Sequence, residues 1–95
     1  MTELKGKTAL ITGASRGIGA ALAEGMAAHG ADIILCDLAR EEAGLAKTKA
    51  AVEAQGRRCQ VFALDVTNKA AIEAVVAQAG QIDILVNNAG ILKPS

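Results

Sequence analysis

The sequence predicts an α/β fold, an open and doubly wound parallel sheet with strand order 3-2-1-4 and three helices. Three observations carry this. Short apolar runs alternate with longer stretches whose apolar residues recur at helical spacing, the pattern of consecutive βαβ units. The connections between the apolar runs are of helix length, as parallel strands require. Gly13, Gly17 and Gly19 crowd the junction between the first run and the first helical stretch, where a backbone must pass close to something without Cβ atoms in the way.

Residues 1–7 form a polar lead-in, with Gly6 turning into a first strand at Thr8-Ala9-Leu10-Ile11. The first helix runs from Arg16 to about Ala28, with Ile18, Leu22, Gly25 and Met26 as its sheet-facing positions and Gly30 as the left-handed residue that ends it. His29, in the last turn, favours the helix C-terminus and meets solvent. The second strand, Ala31 to Asp37, carries the unbroken apolar run IILC, which suits a parallel strand covered on both faces. Glu41 and Glu42 then open a second helix, whose inward stripe is Leu45, Lys49 through its stem, and Val52, before Gly56 stops it. Gln60 to Leu64 is the third strand; Thr67 caps a third helix that buries Ile72, Val75, Val76 and Ala79 ahead of Gly80; Ile82 to Val86 is the fourth strand. Right-handed crossovers place the first two helices on one face. The chain crosses from one side of strand 1 to the other between strands 3 and 4, and ligands bind beyond the carboxyl ends of strands at such a switch point.

Length and composition remove several alternatives. Ninety-five residues make one small domain. Ten basic and ten acidic side chains are interspersed and cancel, so there is no electrostatic footprint for nucleic acid or an anionic membrane, and Phe62 as the single aromatic leaves no base-stacking platform. No apolar run approaches the ~18 residues of a membrane span, and Met1-Thr2-Glu3-Leu4-Lys5 has no signal-peptide core, so the expected location is the cytoplasm. Cys36 and Cys59 fall on neighbouring strands but at opposite ends, about five residues or roughly 16 Å apart along the strand direction, beyond disulfide reach. Both read as buried thiols in a reducing compartment, and two Cys with one scattered His make no metal cluster.

The chemistry-bearing residues lie at strand ends. A helix beginning near Arg16 points free N–H groups and the positive end of its dipole at the glycine turn, which suits a pyrophosphate, and Ser15 adds a hydroxyl as an N-cap or as a ligand donor. The spacing is G-x-x-x-G-x-G instead of the general G-x-G-x-x-G, and a glycine turn between strand and helix can also be pure packing. Asp37 ends the second strand, about 20 positions on, where a carboxylate can accept both hydroxyls of an adenosine ribose. Asp65-Val66 follows the third strand and Asn87-Asn88-Ala89-Gly90 the fourth. Asp65 has a local alternative, capping a turn through nearby backbone N–H groups, and both asparagines could hold the strand edge as turn residues.

TGASRGIG, a strand-end Asp, DV and NNAG, in this order and spacing, resemble the N-terminal part of a short-chain dehydrogenase/reductase over residues 5–92. The glycine spacing is that family's own. The resemblance implies a Rossmann-like fold holding a nicotinamide dinucleotide. Gly13, Ala14, Ser15, Arg16, Gly17, Ile18 and Gly19 would lie around the pyrophosphate and Asp37 on the adenine ribose. Asp65 and Val66 would flank the adenine, and Asn88, Ala89 and Gly90 would lie beside the nicotinamide-side ribose. The carboxylate of Asp37 repels a 2′-phosphate of about −1.5 to −2 charge by on the order of a few kcal/mol at an effective dielectric near 20, so NAD is favoured over NADP. Arg16 pulls the other way, since NADP-preferring members of the family often carry a basic residue there, but Leu38 supplies no cation beside Asp37.

The family's proton relay uses a Tyr phenol, a Lys four residues later and a Ser. This sequence contains no tyrosine and ends at Leu92-Lys93-Pro94-Ser95 before those positions fall; Ser15 and Ser95 do not match the catalytic serine, so no catalytic residue is assigned. Residues 1–95 are therefore expected to be the cofactor-binding portion of an oxidoreductase, incomplete for catalysis alone. The alternatives are a stand-alone nucleotide-binding module and a non-functional fragment. Self-association is expected through the outer edge of the fourth strand, at Ile84, Leu85 and Val86, where Asp83 is the one charge.

Overall fold

In a computed structural model the protein is described over residues 3–88. The elements are β1 (Thr8–Thr12), α1 (Gly17–Ala28), β2 (Asp32–Asp37), a 3-10 turn (Ala39–Glu41), α2 (Glu42–Glu53), β3 (Cys59–Ala63), α3 (Lys69–Ala79) and β4 (Ile84–Val86). All pairings are parallel and the order is β3-β2-β1-β4, as the alternating pattern predicts. Among the described strands β1 is central, with Leu10 opposite Ile34 on one side and Leu85 on the other.

Side-chain alternation divides the sheet into two cores. Ala9, Ile11, Ile33 and Leu35 pack with Ala23 and Ala27 of α1 and with Leu45 and Val52 of α2. Leu10, Ile34 and Cys36 point the other way, to Leu64 and Val75, with Ile72 and Ala79 of α3 partly buried against them. One face is thus covered by two helices and the opposite face by one.

Several element details differ from the sequence reading. The buried stripe of α1 is Gly19, Ala23 and Ala27, while Ile18 is 66% and Leu22 36% exposed. Nearly every residue of GIGAALAEGMAA is apolar, so hydrophobic periodicity does not mark its inner face; the small residues do, because they let the helix axis lie close to the sheet. In α2 the buried positions are Leu45, Thr48 and Val52, so Thr48 takes the place assigned to Lys49. In α3 only Val75 is fully buried, and Val76 is 45% exposed. The α3 cap is Asn68, whose side chain accepts the Ala71 N–H at 3.0 Å, because Thr67 is turned back onto Asp65.

Strand β4 is shorter than the apolar run. Asp83 precedes it and closes a two-bond clasp on β1: its carboxylate accepts the Thr8 N–H at 2.9 Å and its own N–H donates to the Thr8 carbonyl at 2.9 Å. His29 is the C-cap of α1, half-exposed, and its Nδ1 lies 2.8 Å from Glu3 Oε1. The cysteines are closer along the strands than expected. Cys59 pairs with Ile33, three residues from Cys36, or about 10 Å. Their side chains join opposite cores, and both thiols are free. Cys36 is buried and Cys59 only partly so. No helix among the described residues is long and apolar enough to cross a membrane.

Burial pushes both thiols up to about 11, helped by the negative charge of Asp37 at Cys36 and of Glu53 at Cys59. An unfolded chain therefore releases these protons first. The stabilisation is fully present below the ordinary thiol value of 9.0 and is lost as the pH rises through about 11. Unfolding by urea, followed from pH 8 to 11, should show stability falling across that window, with a shallower slope for Cys36→Ala; equal slopes would contradict the assignment.

A glycine loop held from four sides

The carboxyl ends of β1 and β2 are tied together by the loop that follows β1. Gly13 turns out of the strand at φ 63° and Gly17 enters α1 at φ 61°, backbone conformations that favour glycine. Between them, the Ala14 N–H donates to the Cys36 carbonyl at 3.2 Å and the Ser15 N–H to Asp37 Oδ2 at 3.1 Å. The other oxygen of Asp37 accepts the Leu38 N–H at 2.8 Å. One carboxylate thus spans the two loops that leave β1 and β2. Ala14 and Ser15 are buried.

Helix α1 holds the loop from a second side. A Cβ at Gly19 would run into the Gly13 carbonyl oxygen, so these two backbones are in contact. The third support is α2: Thr48 Oγ1 lies 3.0 Å from the Ala14 carbonyl and 3.1 Å from the Gly44 carbonyl, its one hydroxyl proton serving either acceptor. A Cβ at Gly44 would come within 2.6 Å of the Ser15 carbonyl oxygen, so α2 needs a glycine there to dock. Asn88 gives the fourth support, donating from Nδ2 to the Gly13 carbonyl at 3.2 Å, while Asn87 Oδ1 accepts from Thr12 Oγ1 at 3.2 Å.

What the loop leaves open lies at the helix end. Arg16 is the N-cap in extended conformation with no side-chain capping bond, and Ser15 does not cap the helix because it stands one residue ahead of the cap position. The helical ladder starts with the Ala20 N–H and the Arg16 carbonyl at 3.4 Å, so the N–H groups of Gly17, Ile18 and Gly19 precede it. A Cβ at Gly17 would meet nothing within 4 Å. Open space beside leading N–H groups at the positive end of a helix dipole fits an anionic group.

Asp65 and Val66 follow the carboxyl end of β3. Asp65 accepts the Thr67 hydroxyl at 2.7 Å and the Thr67 N–H at 2.9 Å, and these bonds, the hydroxyl foremost, hold its carboxyl below the ordinary value of 3.8. The local turn role weighed for Asp65 is therefore present. Val66 packs against the core on the α3 side and lines an apolar groove of about 590 Å³ together with Leu10, Thr12, Val75 and Leu85. Ala89 and Gly90 lie outside the described residues. No group of three or more potential metal ligands occurs among the described residues.

Gly44 and Thr48 were missed by sequence reasoning, although a signal exists. Glycine costs a helix interior up to about 1 kcal/mol relative to alanine, and a glycine with a threonine four residues later on the same face marks a close backbone approach. Two glycines of α1, Gly19 and Gly25, separate packing from propensity. Gly19→Ala should destabilise by about 1–3 kcal/mol through overpacking, whereas Gly25→Ala, where a Cβ meets nothing within 4 Å, should stabilise by about 0.5–1 kcal/mol. Urea unfolding of both variants is the measurement, and similar effects at the two sites would contradict the proposed contact.

A family model described as short chain dehydrogenase matches residues 7–95. Among curated proteins, the chain is 47% identical over 97 residues to oxidoreductase UcpA of Salmonella typhimurium, covering 98% of this chain and 36% of that protein. Among solved structures it is similar to carveol dehydrogenase from Mycobacterium avium in complex with NAD, with a TM-score of 0.81 and 36% identity, over 95% of this chain and 38% of that one. A short-chain dehydrogenase from Mycobacterium paratuberculosis bound to NAD gives a TM-score of 0.80 at 37% identity, over 98% of this chain and 40% of that one. The chain thus spans little more than a third of the length of these relatives. With its parallel sheet, its glycine loop and a family match over nearly its whole length, this chain belongs to the short-chain dehydrogenase family.

Proposed function

We propose that residues 1–95 are the cofactor-binding portion, a single domain, of a nicotinamide-dependent oxidoreductase that interconverts alcohols and ketones. The observation that carries this reading is the glycine loop, already shaped by Asp37, Gly19, Thr48 and Asn88, with the leading N–H groups of α1 and open space at Gly17 beside it. NAD in the related Mycobacterium structures supports a dinucleotide as the ligand. In this reading residues 13–19 hold the pyrophosphate and Asp37 the adenine ribose. Asp65 and Val66 flank the adenine, and Asn88, Ala89 and Gly90 lie along the nicotinamide-side ribose. The bound nicotinamide supplies or accepts the hydride.

Asp37 has two tasks in this account. Two of its lone pairs hold the amides of Ser15 and Leu38, and the others are left for ribose hydroxyls. Its negative charge disfavours a 2′-phosphate, so the cofactor is NAD in preference to NADP. No residue of this chain is assigned to proton transfer, as the sequence lacks tyrosine. The two unpaired thiols accord with a cytoplasmic, reducing setting. Calorimetric titration of wild type and Asp37→Ala with NAD and with NADP tests the assignment. Loss of the loop anchors weakens both ligands, but NAD should lose about tenfold or more and NADP clearly less; a larger loss for NADP would sink it.

The same reading includes a partner for the sheet edge. Among the described strands β4 is paired only on its β1 side, Leu85 is 68% exposed, and the apolar groove between α3 and β4 adjoins it. Unpaired strand groups beside apolar surface favour edge-to-edge association of two copies. Asp83 does not blunt that edge, because its carboxylate is turned toward Thr8. Size-exclusion chromatography with light scattering should show dimers or larger species for wild type and a shift toward monomer for Leu85→Lys. A wild-type chain that stays monomeric at high concentration would rule out this route.

A further inference from the structure

Beside Asp37 lies a second set of charges. Arg16 caps α1, and Arg40 and Glu41 belong to the 3-10 turn three to four residues after Asp37. Both arginine side chains are highly exposed, at 82% and 79%, whereas the Glu41 side chain is only 23% exposed. A single oxygen, Glu41 Oε2, lies 3.9 Å from Arg16 Nη2 and 3.8 Å from Arg40 Nε. These separations are too long for strong hydrogen bonds, so the three groups are held by charge and can exchange partners at little cost. The bond from the Ser15 N–H to Asp37 fixes Arg16, the next residue, beside the carboxyl end of β2, and the backbone bond from the Glu41 N–H to the Leu38 carbonyl, 2.8 Å, fixes Glu41 there too.

We infer that Glu41 is a positioning residue for cofactor choice: by occupying Arg16 and Arg40 it withholds both guanidinium groups from a 2′-phosphate and so reinforces the selectivity for NAD. The inference rests on the dinucleotide reading above. Planar guanidinium groups are the natural partners of a phosphate, which they bind with paired, charge-assisted hydrogen bonds. Two of them beside the proposed ribose site would by themselves offset the repulsion from Asp37. Glu41 reduces that offset, since a phosphate must compete with its carboxylate for the guanidinium groups. NAD has no 2′-phosphate and does not compete for the arginines there. Selectivity against NADP thus has two parts, a repulsive carboxylate at Asp37 and a competing carboxylate at Glu41.

Glu41→Gln keeps the size of the side chain and the backbone bond to Leu38 while removing the charge. Calorimetric titration of the chain with NAD and with NADP should show NADP binding strengthened about fivefold, NAD binding changed less than twofold, and a steeper salt dependence for NADP. The same substitution in an Arg16→Gln, Arg40→Gln background should change neither ligand by more than twofold, because the groups it releases are gone. An unchanged ratio of the two affinities overturns the inference while leaving the dinucleotide reading intact, provided NAD still binds. A gain for NADP that persists without the arginines also overturns it, since Glu41 would then act only by direct repulsion. Failure of wild type to bind either dinucleotide at millimolar concentration removes both the reading and the inference.

Discussion

The carboxylate of Asp37 joins two loops that the sheet alone would leave independent. Through Oδ2 it holds the amide of Ser15, 22 residues earlier, and through Oδ1 the amide of Leu38, so one carboxylate bridges the exits of β1 and β2. Hydrogen bonds to an ionised acceptor are roughly twice as strong as neutral ones, and a partly buried site shields them from competing water. With Ser15 fixed, Gly17 and Gly19 are constrained to the conformation in which α1 lies against Gly13, and α2 can dock through Gly44 and Thr48. The geometry of the loop rests on this carboxylate together with Gly19, Thr48 and Asn88.

Close packing of small residues does the rest on that face. Gly19, Ala23 and Ala27 bring α1 down onto β1 and β2, and Gly44 brings α2 down onto the loop. Larger side chains at these positions would lift the helices and open the loop. The opposite face is built differently. Helix α3 offers one fully buried side chain, Val75, and the groove beside it remains lined by Leu10, Leu64, Ile72 and Leu85. Burial is therefore unevenly distributed: the central strands β1 and β2 are buried along most of their length, and the edge strands β3 and β4 are only partly covered.

The fold was legible in the sequence because its signals are long-range and redundant: four apolar runs, three helix-length crossovers and the glycine cluster permit few topologies other than β3-β2-β1-β4. The strand-end positions of Asp37, Asp65 and Asn88 followed from the same pattern. Finer matters were not legible. In α1 the apolar content is so high that helical spacing picks out Ile18 and Leu22, whereas close approach to the sheet buries Ala23 and Ala27 instead. In α3, Thr67 and Asn68 are both good caps, and the choice fell to Asn68 because Asp65 captured the threonine hydroxyl. Thr48 was hidden because a hydroxyl buried in a helix face shows its purpose only when its acceptor, the Ala14 carbonyl 34 residues away, is in place. The Glu41 cluster was hidden likewise, since Arg16 and Glu41 are distant in sequence and meet only where the loops after β1 and β2 lie side by side.

The central claim is that the loop is shaped by the protein and not by its ligand. Amide hydrogen exchange at Ser15 and Leu38, measured by NMR on the nucleotide-free chain, tests it most directly. The account predicts that both amides are protected well beyond unstructured rates in wild type and that both lose protection together in Asp37→Ala while the amides of β1 remain protected. Exchange at unstructured rates in the free wild-type chain, with protection arising only when NAD is added, would contradict it.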